Sequence, residues 1–282
     1  MSVVIVTDSG CDLTRNDAAR YGIEIVPVYV VFGSERLRDG IDIDRAQFAR
    51  RIASGEAPKT EPASVADFEA VFSRFVVHGG NEVVAITLSS QISKSFEHAT
   101  QAAASFGSSV YVVDSRAASG LESLLAIYAA QCASAGESAG AIAEKLQYGS
   151  IKRAAYFAVP DLTPLGENGR LPKAVVALGS MLNVSLVLKI NEQGAIAPAG
   201  QSRSYDKTRE LMVEALVRTI EHSPGAWVSI SHAGDAETAQ SISQMLATKL
   251  GYAPRKQLVQ ETSLTIVANL GTRGVGIFAI VP

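Results

Sequence analysis

The chain has 282 residues, 47% of them apolar and 19% charged, with a formal net charge of −3. That length accommodates two modest domains or one large one, and the composition excludes a disordered or coiled-coil chain. The weak negative charge offers no basic surface for nucleic acid, and the two cysteines, Cys11 and Cys132, cannot build a disulfide framework.

No apolar run approaches the roughly 20 residues that a membrane span needs. The amino terminus turns polar too soon for a signal peptide, so a cytoplasmic protein in a reducing compartment is expected. In chain order, 3–6 reads as a first β-branched strand, after which Asp12-Leu13-Thr14 opens a helix through about Tyr21. A second extended run covers 25–32, with Pro27 marking an edge or a bend. Turn chemistry occupies 36–42, a short amphipathic helix 44–54, and a loop held open by Pro58 and Pro62 spans 57–64. A helix at 66–77 leads to a buried strand at 83–88. A second strand at 109–113 ends at Asp114-Ser115, with a long helix at 119–135.

The strand at 83–88 runs into Ser89-Ser90-Gln91-Ile92-Ser93-Lys94-Ser95, and then Phe96, Ala99, Ala103 and Phe106 recur at helical spacing. A strand, a Ser-rich turn and a helix start place hydroxyl donors and free amides at the positive end of a helix dipole. An oxygen-rich, anionic headgroup would be satisfied there. The alternative is that Ser93 and Ser95 only cap the helix. Ser9, Ser89, Ser90 and Ser115 all follow strand ends, the edge at which a doubly wound sheet binds ligands. No Gly-x-Gly-x-x-Gly follows the first strand, so a dinucleotide site is not expected.

The second half has a different texture. A helix lies within 136–149, a strand at 153–159, a Gly-rich segment with Arg170 at 161–171, and a helix at 172–182. Strands at 185–190 and 195–199 form a hairpin, and Arg203 precedes a helix at 205–221. A strand at 227–231 meets His232, a helix covers 235–250, and 275–281 is a terminal strand. The expected class is therefore α/β: a parallel, doubly wound domain over 1–150 and an α+β domain with a mixed sheet over 151–282.

A Ser-rich edge raises the possibility of a hydrolase or transferase acting on a small ester, with Ser93 or Ser115 as nucleophile and His232 as base. Against it, Gly-x-Ser-x-Gly is missing and His232 is the one plausible base of four histidines. Cys and His never occur at metal-ligand spacing, and no P-loop is present. Arg170 and Arg203 sit in loops where a guanidinium could pair with a carboxylate or phosphate. A site rich in donors and poor in bases favours binding over chemistry.

Val6-Thr7-Asp8-Ser9, Cys11-Asp12-Leu13, Leu88-Ser89-Ser90-Gln91-Ile92-Ser93, Val113-Asp114-Ser115, Asn168-Gly169-Arg170-Leu171 and Leu270-Gly271-Thr272 occur in order along the whole chain. This set resembles the DegV family of bacterial fatty-acid carriers, which includes the lipid-binding subunit of fatty acid kinase. The resemblance implies a long-chain fatty acid in a tunnel between two domains, no cofactor besides that lipid, and no catalysis. It implies carboxylate binding by Thr60 and Ser93, with Ser89, Ser90 and Ser115 in support and Arg170 and Arg203 near the headgroup. His232 and Arg273 would be auxiliary or face a kinase partner. A regulatory module for which the lipid is incidental is the remaining reading. The chain departs from the family pattern at Glu61, Lys94 and Arg273.

Overall fold

The computed structural model describes residues 2–181 and 184–282. Strand β1 (Val3–Asp8) is buried from Ile5 onward and is followed by a single 3-10 turn, Ser9–Cys11. Helix α1 (Arg15–Arg20) then starts where the Thr14 hydroxyl accepts the Asp17 amide, shorter than the helix expected from Asp12. The extended run at 25–32 is two strands, β2 (Ile23–Val26) and β3 (Tyr29–Phe32). Pro27 has no N–H to continue a ladder, so the chain leaves one sheet there and enters another.

β4 (Glu35–Arg38) and β5 (Lys59–Glu61) were expected as turn and loop, but they flank β3 in a small antiparallel sheet. Between them, α2 (Arg45–Ala53) begins on a capping box of Asp44 and Gln47, and α3 (Val65–Val76) begins on another of Ser64 and Asp67. Next come β6 (Glu82–Thr87), α4 (Ser95–Ala103), β7 (Val110–Asp114), α5 (Gly120–Ser134) and α6 (Ala139–Tyr148). β1, β2, β6 and β7 form a wholly parallel sheet of order β2-β1-β6-β7.

The second half adds β8 (Lys152–Ala158), α7 (Thr163–Glu167), α8 (Lys173–Met181), β9 (Ser185–Ile190), β10 (Ile196–Ser202) and α9 (Tyr205–Ile220). It continues with β11 (Trp227–His232), α10 (Ala236–Leu250), β12 (Lys256–Glu261), α11 (Leu264–Leu270) and β13 (Val275–Val281). The predicted helix end at Leu182 lies outside the described residues. These strands make a six-stranded mixed sheet, β10-β9-β8-β13-β11-β12, in which β11 and β12 run parallel and the other neighbours antiparallel. The fold class is thus α/β with a separate parallel and a separate mixed sheet. α7 replaces part of an expected loop, while β12 and α11 have no counterpart in the sequence reading.

Helix α5 lies between the two large sheets and is buried around nearly its whole circumference rather than along one stripe. Leu121, Leu124 and Leu125 share a core with Ile5 and Ile86 of the parallel sheet and with Trp227 and Phe278 of the mixed sheet. At its start, a Cβ on Gly120 would stand 2.5 Å from Phe278 Cδ2 and 2.6 Å from Ser229 Oγ. Only glycine lets the helix approach the mixed sheet that closely.

Candidate ligand-binding site

The turn after β6 spends most of its hydroxyls on its own construction. Buried Ser89 donates to the Gly194 carbonyl at 2.8 Å and accepts the Gln91 amide at 3.2 Å. Ser90 donates to Asp114 Oδ2 at 2.6 Å, and its amide to Oδ1 at 3.1 Å. Ser115, after β7, accepts the Ala117 amide at 3.0 Å. Ser93 Oγ accepts the Ser95 amide at 3.2 Å and lies 3.1 Å from the Ser95 hydroxyl. Lys94 stands at the N-cap position of α4 and makes no side-chain cap hydrogen bond. Ser95, which the sequence offers with Ser93 as a helix cap, is fully buried and favours the charged form of the Asp8 carboxyl.

Thr60, Ser93, Lys94, Arg170, Thr265 and Asn269 line one cleft of about 330 Å³, with Ser90 also on its wall. Thr60 arrives on β5, opposite Val30 of β3. Thr265 and Asn269 arrive on α11, which is docked by carboxylates of the first half. Asp12 accepts the Ser263 amide at 2.9 Å, and Asp39 accepts the Thr265 amide at 3.0 Å and its hydroxyl at 2.9 Å. Asn269 Nδ2 donates to Thr60 Oγ1 at 3.4 Å, while its Oδ1 is buried without a partner. Arg170 donates through Nε to the Ile92 carbonyl at 3.3 Å. Burial pushes its pKa down, and among the described residues it forms no ion pair. A guanidinium so placed gains from an anion brought beside it.

An apolar cavity adjoins the cleft, and Ile92, Arg170, Ile266 and Asn269 line both. Phe157, Leu165, Ile190, Leu270 and Phe278 supply much of the remaining wall. The cavity is small, about 60 Å³.

Other expected site residues lie elsewhere. Ser89 and Ser115 line neither space. Arg203 is exposed ahead of α9, and exposed Arg273 accepts the Tyr205 hydroxyl on its carbonyl at 2.7 Å. His232 is 5% exposed with Nδ1 unpartnered, so it cannot face a partner protein, and burial pushes its pKa down. Among the described residues, no hydrogen bond joins His232 to Ser93 or Ser115. Also among them, no group of acids, cysteines and histidines could hold a metal ion, and no helix is long and apolar enough to cross a membrane.

Beneath the cleft lies a buried acidic seam that the sequence reading did not assemble. Asp8 accepts the Leu88 amide at 2.9 Å and the Gly10 amide at 3.0 Å, while Asp12 accepts the Ser119 hydroxyl. Burial pushes both pKa values up to about 6 against those hydrogen bonds. Glu122 of α5, bonded to Thr7 at 2.9 Å, is raised further, by burial first and then by the charge of Asp8.

The family model for the DegV family, described as uncharacterised proteins, matches residues 2–281. A DegV domain-containing protein of Deinococcus radiodurans is 31% identical over 230 residues, covering 81% of each chain. Among solved structures, a fatty-acid-binding DegV family protein from Thermus thermophilus superposes with a TM-score of 0.90 at 27% identity, covering 100% of both chains. DegV from Bacillus subtilis, a fatty-acid-binding protein, gives 0.87 at 26% identity, again over 100% of both.

Proposed function

Because the chain belongs to the DegV family, we propose that it is a cytoplasmic, non-catalytic protein that holds one long-chain fatty acid. The carboxylate sits in the cleft, where Thr60 and Ser93 donate hydroxyls and Arg170 supplies charge, and the acyl tail runs into the apolar cavity. The observation that carries this reading is that the donor-lined cleft and the apolar cavity adjoin, with Ile92, Arg170, Ile266 and Asn269 lining both. Two similar structures, from Thermus thermophilus and Bacillus subtilis, are of proteins that bind fatty acids.

The energetics suit such a ligand. Burying some fourteen methylenes gains roughly 11 kcal/mol at about 0.8 kcal/mol each. Association and ordering take back several kcal/mol or more. The carboxylate loses its water and must find donors, so headgroup choice rests on Thr60, Ser93 and Arg170 while tail length sets affinity. Residues 1–150 then bring Thr60 and Ser93 to the headgroup, while 151–282 cover the chain and add Arg170, Thr265 and Asn269 to the headgroup cleft. The exposed Arg203 and Arg273 are candidates to meet a kinase that would convert the presented acid to an acyl phosphate.

Mass spectrometry of lipid extracted from the denatured, freshly purified protein tests the proposal. The expected result is a stoichiometric long-chain fatty acid. A protein that is empty and also refuses added fatty acids would overturn it.

A further inference from the structure

On another face, a cavity of about 500 Å³ lies between the loop after β7, the link from α6 into β8, and the end of β9. Its walls gather four cations: Arg116, Lys152, Arg153 and Lys189. None of the four forms an ion pair among the described residues. Two acids offset them in part: Glu192 lines the cavity, and Asp114, which accepts from the Ser90 hydroxyl and from the amides of Ser90 and Arg116, acts on Arg153 by its charge. Four cations beside two acids leave an excess of positive charge that an anionic ligand would relieve.

Two features indicate that the cluster is built rather than incidental. Arg153 is held in place: Nη1 donates to the Ser115 carbonyl at 2.7 Å and Nη2 to the Leu146 carbonyl. Burial and then the charge of Arg116 push its pKa down, while Asp114 opposes them. Arg116, for its part, has φ of +50°, a left-handed backbone that a non-glycine residue adopts at a cost. It is locked there by the Asp114 carboxylate on its amide at 3.0 Å and by Gly194 packed against its Cα. Strain maintained at a cationic cavity marks a functional surface.

The geometry points to a second ligand site in this cavity, for a phosphate-bearing small molecule of about nucleotide size. Arginine and lysine match phosphate oxygens in charge and donor geometry. The volume exceeds what a bare phosphate fills, and Tyr156 with Leu121, Ile151 and Ile190 offers a wall for an organic body. The site shares no lining residue with the headgroup cleft, although Ile190 also walls the apolar cavity, and it does not depend on the lipid reading.

The test is calorimetric titration of the full chain with ADP, inorganic pyrophosphate and adenosine. Lys189→Gln and Arg116→Gln are the variants, because Arg153 also ties two loops and its loss could disturb folding. The expected result is saturable ADP binding that weakens at least about fivefold in each variant and falls as salt is raised from about 50 to 200 mM. Pyrophosphate binding as tightly as ADP would support the site with the phosphate group alone as the recognised feature. Tighter ADP binding would support recognition of the whole nucleotide. The proposal fails if neither anion saturates up to about 5 mM, if the variants bind as the parent does, or if adenosine binds as well as ADP.

Discussion

Ser93 and Thr60 reach the cleft from different sheets, and their hydroxyls are what the proposed carboxylate needs. Replacing Ser93 with Ala removes one hydrogen bond to a charged group, worth about 1.5–3 kcal/mol. Fatty-acid titration should show affinity falling by about tenfold or more, with the thermal midpoint lowered by only a few degrees for the lost bond to the Ser95 amide. Unchanged affinity would remove Ser93 from the site. The buried acids make a prediction of a different kind. Asp8 and Asp12 titrate near pH 6 when folded, above the ordinary value of 3.8, so the folded chain holds protons that the unfolded chain has released. Their contribution to stability is greatest below about pH 4, declines as pH rises to 6, and is flat above. Asp8→Asn should flatten part of that decline in urea midpoints measured from pH 4 to 6, whatever it does to absolute stability. An unchanged slope would mean Asp8 is not the titrating group. Ser93 and Arg170 could be singled out from a strand-end turn and a Gly-rich loop, whereas Thr60 came only through the family resemblance; all three line one cleft. The other strand-end serines look identical in sequence. What separates them is distant: Ser89 finds its acceptor 105 residues away at Gly194, and Glu122 is engaged by Thr7, 115 residues earlier.

At the scale of elements, the turn between β9 and β10 is where the mixed sheet touches the Ser-rich turn. Gly194 has φ of +87°, and a Cβ there would lie 2.2 Å from Ser89 Oγ and 3.0 Å from Arg116 Cα. Gly194→Ala should therefore cost about 1–3 kcal/mol, lowering the melting temperature by roughly 5 °C. A melt within a degree of the parent would show that the contact is slack. Helices opened by Thr14, Asp44 and Ser64 could be read from their caps and apolar faces. β12 and α11 could not. β12 is an edge strand whose Leu258 and Val259 are set among Lys256, Gln257, Gln260 and Glu261, so no apolar run announces it. α11 carries Thr265, Ile266 and Val267, residues of strand-like character. It is held as a helix by contacts from Asp12 and Asp39 that no local window contains.

Over the whole molecule, α5 decides how the two sheets behave together. It belongs to the first half in sequence, yet packs on Ile86 and on Phe278 alike. Neither sheet can open without exposing its apolar surface. Calorimetry should show a single cooperative unfolding transition, and two resolved transitions would mean that the α5 interface is weaker than its burial indicates. The two large sheets were legible from strand–helix alternation in one half and a hairpin in the other. The three-stranded sheet was not, because its strands are short and join segments separated by α2.

The smallness of the apolar cavity, a matter of volume so far, is also a matter of time. A long alkyl tail can enter so small a space only if its walls give way, Ile92 and Ile266 among them, since these line both the cleft and the cavity. Residence is then governed by how often those walls breathe, and affinity by what the tail touches once inside. Ile92→Phe should slow uptake and release together in stopped-flow exchange, and faster release would contradict this. Delivery of the lipid would be paced by whatever loosens that passage, so a partner could hasten transfer without weakening the grip at equilibrium.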